Sequence, residues 1–202
     1  MRYALTRHHC VITPLPLLML LLPLLLLQGC SLPPALSRHD GGTAATRSTP
    51  PPAVMTQQYD RAEARKKLVK GRNTIAGHAE ARTDDGKVVT CAGRPVTLIP
   101  VTAYSRERMN ILYGDDTSGV LPLGDGAPPR QKVTEDPAYL ADQPQTYCNN
   151  SGDFTFRNLT DGDFYVTTGI VWTNARKKPQ GVGLMQRVTV KGGKTQRVTL
   201  KN

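Results

Sequence analysis

The chain has 202 residues, 39% of them hydrophobic and only 5% aromatic, with 26 Lys and Arg against 16 Asp and Glu for a formal charge of +10. That length allows one or two domains, and the basic balance suits anionic lipid headgroups, lipopolysaccharide, cell-wall polymer or an acidic protein. No nucleic-acid-binding motif accompanies the charge, so nucleic acid is not an expected partner.

In chain order, the first element is an uncharged, leucine-rich run from Val11 to Leu27, preceded by Arg2 and Arg7 and followed by Gln28, Gly29 and Cys30. A membrane-spanning helix needs about 20 continuous apolar residues. Here Pro14, Pro16 and Pro23 interrupt a shorter stretch, each removing a backbone donor. An n-region, an h-region and a cleavage site describe it better than an anchor, although an uncleaved anchor stays open. Leu27, Gly29 and Cys30 resemble the lipobox of bacterial lipoproteins. The resemblance implies removal of a signal peptide, residues 1–29, and lipidation of Cys30 with diacylglycerol and palmitate. It also implies attachment to a membrane outside the cytoplasm. Ser31 in place of Asp implies sorting to the outer membrane, facing the periplasm, with the inner membrane as the alternative.

Cleavage would remove Arg2 and Arg7 and no acid, lowering the formal charge from +10 to +8. Of the four cysteines, Cys10 would leave with the signal and Cys30 would carry lipid, so Cys91 and Cys148 remain. In an oxidising compartment such a pair is read as a disulfide. Closing the long loop between them restricts the unfolded chain by about 4 kcal/mol on the entropic account. A redox or metal pair would want close CxxC spacing, which is absent.

Residues 30–55 are rich in Pro, Ser, Thr, Ala and Gly without apolar periodicity, and read as a disordered, flexible tether. Residues 56–72 read as a short basic helix, with Thr56 as N-cap and Gly71 as stop. Arg61, Arg65, Lys66, Lys67, Lys70 and Arg72 there form either a patch for phosphate groups or an ordinary solvated face.

From residue 73 to 202 the pattern is β. Ile75, Gly77, Ala79 and Ala81 alternate with polar residues; Asp84, Asp85 and Gly86 signal a turn; strands are expected over 88–91 and 96–101. Further strands are expected over 154–156, 164–172, 184–190 and 196–200, the last two joined as a hairpin through Lys191, Gly192, Gly193 and Lys194. Tyr104 to Tyr113 has helical spacing, with Ser105 as its cap. Residues 114–145 hold five prolines and several glycines, and read as a long loop, either disordered or used for binding. About seven strands with short turns indicate an all-β sandwich.

The most informative run is SGDFTFRNLTDGDFYV, residues 151–166. Gly152 suits a turn, Phe154 and Phe156 fall on one strand face, Leu159 closes the strand, and Asp161 and Gly162 allow a reversal into Phe164. With the upstream TIAGHAEA and RPVTLIP, this pattern resembles the carboxypeptidase regulatory-like family. That resemblance implies a prealbumin-like (transthyretin-like) antiparallel sandwich over 73–202 and a non-catalytic accessory or binding role.

No catalytic set opposes that implication. The iron site of two Tyr and two His found in ring dioxygenases with a related sandwich cannot be assembled from His39 and His78, because His39 lies in the tether. His78 has no nucleophile motif beside it and reads as a surface histidine. Asp115, Asp116 and Asp125 lack the spacing of a calcium loop, and Asp161 and Asp163 are accounted for by their turn. The sequence thus leads to a lipid-anchored, non-enzymatic binding or scaffold module with no cofactor and no metal. Its expected partners are the membrane, through lipid, and an envelope protein or cell-wall polymer. Two alternatives stay open: an enzyme or inhibitor acting through 114–145 with His78, Arg106 or Glu107, and a structural subunit of a secretion or pilus-related assembly.

Overall fold

The computed structural model describes residues 51–128 and 131–202; the expected signal peptide, Cys30 and most of the expected tether lie outside them. The body is an all-β sandwich with a helical layer on one face. One sheet contains β1 (Lys70–Arg82), β2 (Val88–Thr90), β6 (Asp153–Leu159) and β9 (Thr195–Leu200). The other runs in the order β4 (Ser118–Gly124), β8 (Pro179–Val190), β7 (Gly162–Thr173), β3 (Pro95–Pro100) and β5 (Gln145–Tyr147). Pairing is antiparallel except for β9, which lies parallel to β1. The helices are α1 (Arg61–Lys67), α2 (Ala103–Tyr113) and α3 (Pro137–Ala141).

Period-two alternation produces the sandwich core directly. Ile75, Ala79 and Ala81 of β1 point inward with Phe154 and Phe156 of β6, and meet Phe164, Val166 and Ile170 of β7. Gly77 is required beneath that aromatic pair, because a Cβ there would stand 2.1 Å from the Phe154 ring. Cys91 and Cys148 are joined in a disulfide within the same core, their Cα atoms 5.8 Å apart. Since Cys91 follows β2 and Cys148 follows β5, the bridge staples one sheet to the other.

A second core covers the outer face of the five-stranded sheet. Tyr165 and Met185 project outward and are buried by Tyr104 and Met109 of α2 and Tyr139 of α3. Tyr59 completes a ring cluster with Tyr104 and Tyr139, at centroid distances of 5.0 to 5.6 Å. The Arg108 guanidinium sits 5.2 Å from the Tyr139 ring centre and pairs with Glu135.

Several expectations require correction. The described residues hold nine strands rather than about seven, because the expected loop 114–145 contains β4, α3 and the first residue of β5. Pro122 fits in β4 because that strand is a sheet edge, paired only with β8. Gly119 fits because a Cβ there would lie 2.5 Å from Tyr113.

The expected terminal hairpin is also absent. Gly192 and Gly193, with φ of 70° and 73°, carry the chain across from β8 to the opposite sheet. Buried Asn73 captures it there: its Oδ1 accepts from Gly193 N and Lys194 N, while its Nδ2 donates to Leu159 O and Asp161 Oδ1.

Helix boundaries shift for identifiable reasons. Asp60, not Thr56, caps α1, its Oδ1 accepting from Ala62 N and Glu63 N. Thr56 and Gln57 instead donate their backbone N–H groups to Glu107. Gly71 lies within β1, where a side chain would collide with the Leu159 carbonyl. Thr102, rather than Ser105, caps α2, with Ser105 completing a reciprocal capping box. The folded body therefore begins before residue 73. Ala53, inside the expected tether, is buried and donates its N–H to Lys132 O at 2.7 Å.

Candidate ligand-binding cleft

The strand registers bring three chain reversals to one pole of the sandwich: the β1–β2 turn, the end of β4, and the β7–β8 loop. Between them lies a cleft of about 650 Å³. Its floor is apolar, formed by Val89 and by Trp172, the single tryptophan of the chain, both half-buried against the inter-sheet core. Its walls are polar: Asp84, Asp85 and Lys87 on one side, Asn174, Arg176 and Gln180 on another, and Asp125 closing the third.

Each wall is internally braced. In the β1–β2 turn the Thr83 hydroxyl lies 2.5 Å from Asp85 Oδ1, and Lys87 Nζ donates to Asp85 Oδ2 at 2.6 Å. These two bonds, with that from Lys87 the stronger, bring the Asp85 carboxyl down to about 2, so it is ionised at neutral pH. In the β7–β8 loop Asn174 Oδ1 accepts from Arg176 N and Lys178 N, each at 2.9 Å. Lys177 there adopts a left-handed φ of 57°. Asp125 N donates to Pro179 O at 2.8 Å, tying the end of β4 to the start of β8.

A half-exposed indole flanked by carboxylates, amides and cations, of which Asp85, Lys87 and Asn174 are held in place, can hold a small polar molecule with one apolar face. It offers stacking from Trp172 and donors and acceptors on three sides. Among the described residues no group of three or more His, Cys, Asp or Glu side chains could hold a metal ion.

The expected site residues fall elsewhere. Gly152, Phe154, Phe156, Leu159, Gly162 and Phe164 belong to β6, β7 and their turns, where they build the core. Gly152 takes a φ of 88°, as the turn demands. Of the basic set, Arg61 is committed to Asp142 through two bonds of 2.6 Å, whereas Arg65, Lys66, Lys70 and Arg72 are exposed and Lys67 half-buried.

His78 lies apart from Arg106 and Glu107. His78 Nδ1 lies 2.9 Å from Asp153 on the four-stranded sheet. Arg106 and Glu107 line a shallow hollow with Thr56 and Gln57 on the helical layer. Hydrogen bonds from the Thr56 and Gln57 backbones hold the Glu107 carboxyl below its ordinary range.

Asp161 and Asp163, read from sequence as turn residues only, also act across the fold: Asp163 accepts from Arg187 at 2.6 Å and Asp161 from Asn73 at 2.8 Å. The cleft residues carried one legible signal, a lone Trp at the end of a strand followed by a polar, cationic turn. The sequence pattern assigned Trp172 to a strand and Asp84 and Asp85 to a turn, without placing them beside one another.

Among the described residues no helix is long and apolar enough to cross a membrane. No family model matches the sequence, and no curated protein matches it. A solved structure does resemble it: a protein from Pseudomonas aeruginosa, provisionally described as carbohydrate binding. The two superpose with a TM-score of 0.60 at 21% identity, over 72% of this chain and 99% of that one. At that identity the likeness concerns the fold alone.

Proposed function

We propose that this protein is a non-catalytic carbohydrate-binding module of the bacterial envelope, anchored by lipid on Cys30, with the Trp172 cleft as its binding site. The observation that carries the reading is the cleft itself: an indole face on an apolar floor, bordered by braced Asp85, Lys87, Asn174 and Gln180 side chains and by Arg176. A sugar ring has matching chemistry, with C–H faces that pack on an aromatic surface and hydroxyls that need fixed donors and acceptors. The description of the Pseudomonas protein as carbohydrate binding supports the same class of ligand. The carboxypeptidase regulatory-like resemblance supports a non-enzymatic role, and the lipobox supports an outer-membrane position facing the periplasm, where cell-wall glycan is the natural candidate.

The test is calorimetric titration of the protein with soluble peptidoglycan fragments and neutral oligosaccharides, alongside Trp172→Ala. Saturable binding by the native protein, weakened in the variant, supports the reading. Binding that the variant retains in full would place the ligand elsewhere.

A further inference from the structure

The pole opposite the cleft carries a second surface. There α1 gives way to β1, β6 reverses into β7, and β8 crosses to β9. Arg65, Lys66, Lys70, Arg72, Lys191 and Lys194 are exposed at this pole, and none of the ion pairs among the described residues involves them. They come from segments more than 100 residues apart in sequence but adjacent in space: a Cβ on Gly193 would lie 3.6 Å from that of Arg72. Asp163 is bonded to Arg187 and Thr189, and Asp161, held by Asn73 and Gly192, leaves a single carboxylate facing Arg72 and Lys191. Next to Lys70 in the same segment, between α1 and β1, Val69 is 55% exposed.

Gathering unpaired cations costs free energy through mutual repulsion unless an anionic partner supplies the countercharge. An exposed aliphatic side chain in the same segment as Lys66 and Lys70 adds a second requirement, a partner with apolar material just beneath its charge. A membrane interface with anionic phosphate headgroups meets both, accepting Val69 at headgroup depth while the long lysine stems keep their ammonium groups among the phosphates. Chain connectivity agrees, since only 30 residues separate Cys30 from α1.

We propose that this basic pole docks on an anionic phospholipid surface, with Val69 at the interface, and that docking turns the Trp172 cleft away from the bilayer. The proposal does not depend on what the cleft binds.

The test is amide hydrogen exchange of the mature, lipid-bearing protein in nanodiscs of neutral phospholipid and in discs enriched in anionic phospholipid. Anchoring through the Cys30 lipid is common to both, so the difference isolates the basic pole. In anionic discs at low salt, exchange over 65–72 and 190–194 should slow about tenfold and recover at about 0.5 M salt. Exchange over 83–87 and 173–178 should not change. Replacing Lys66, Lys70 and Lys191 by Ser should abolish the slowing while amides within β7 keep their native exchange. Equal exchange in the two kinds of disc would overturn the proposal. So would slowing at 83–87 instead, or slowing by soluble polyphosphate in neutral discs that anionic discs do not reproduce.

Discussion

Trp172 stands directly opposite Gln180 in the β7–β8 ladder, so the tryptophan and an amide are held side by side in the cleft by backbone pairing rather than by a loop. A ligand in the cleft therefore meets a platform whose position is set by the most extensive strand pair of the fold. Trp172→Ala should weaken saccharide binding by about tenfold, corresponding to about 1.4 kcal/mol, and Trp172→Phe by less, because a ring face remains. Titration of the three proteins with one oligosaccharide checks the order. Equal affinities would remove Trp172 from the site.

The Cys91–Cys148 bridge spans 57 residues and joins the two sheets. Replacing both cysteines by serine should lower unfolding stability by about 4 kcal/mol on the entropic account. Denaturant unfolding of the oxidised protein and the double variant measures the difference. Non-reduced peptide mass analysis should recover the two cysteines linked.

Asn73 is 1% exposed and hydrogen-bonds to β6, the β6–β7 turn and the β8–β9 crossover. Asn73→Ala should cost about 1–3 kcal/mol, because it strands buried partners. Asn73→Asp should be worse at neutral pH, since it sets a carboxylate beside Asp161 and removes the amide donor. The aspartate variant should regain part of its loss when acid neutralises one of the pair, which an unfolding series against pH would reveal.

How much of this fold could be read beforehand depends on whether each feature is local. The sandwich was legible because alternating residues such as Ile75, Ala79, Phe154 and Phe156 write their burial into a short window, and Cys91 and Cys148 were legible by subtraction. β4 was not, because its glycine and proline are the signature of a loop. They are tolerated only because Tyr113 packs on Gly119 and because an edge strand can spare the Pro122 donor. The β8–β9 crossover was not legible either, since Lys-Gly-Gly-Lys suits a hairpin equally well and Asn73, some 120 residues away, decides the matter. The cleft was invisible for the same reason: its three walls meet only once both sheets are assembled.

Folded-state carboxyls at Asp85, Glu107, Asp115, Asp142, Asp153, Asp161 and Asp163 all lie below their ordinary values, held there mainly by hydrogen bonds to the charged form. A carboxyl whose pKa is lower when folded contributes stability that is present above its unfolded value and lost as pH falls through its folded value. For Asp85 that window runs from 3.8 down to about 2. Stability should thus be nearly level from neutral pH down to about 4 and decline steeply below it. Urea midpoints measured across that range test the sign, and a midpoint that rose on acidification would contradict it.

The most direct test of the account uses the single tryptophan as its own reporter. Every photon of indole fluorescence comes from Trp172, so titration with envelope oligosaccharides reads the cleft without a label. Saturable change in Trp172 emission, with a midpoint equal to the calorimetric one, is the result predicted for a saccharide seated on the indole. Calorimetric binding with unaltered Trp172 emission, or no binding to any envelope saccharide, would contradict it.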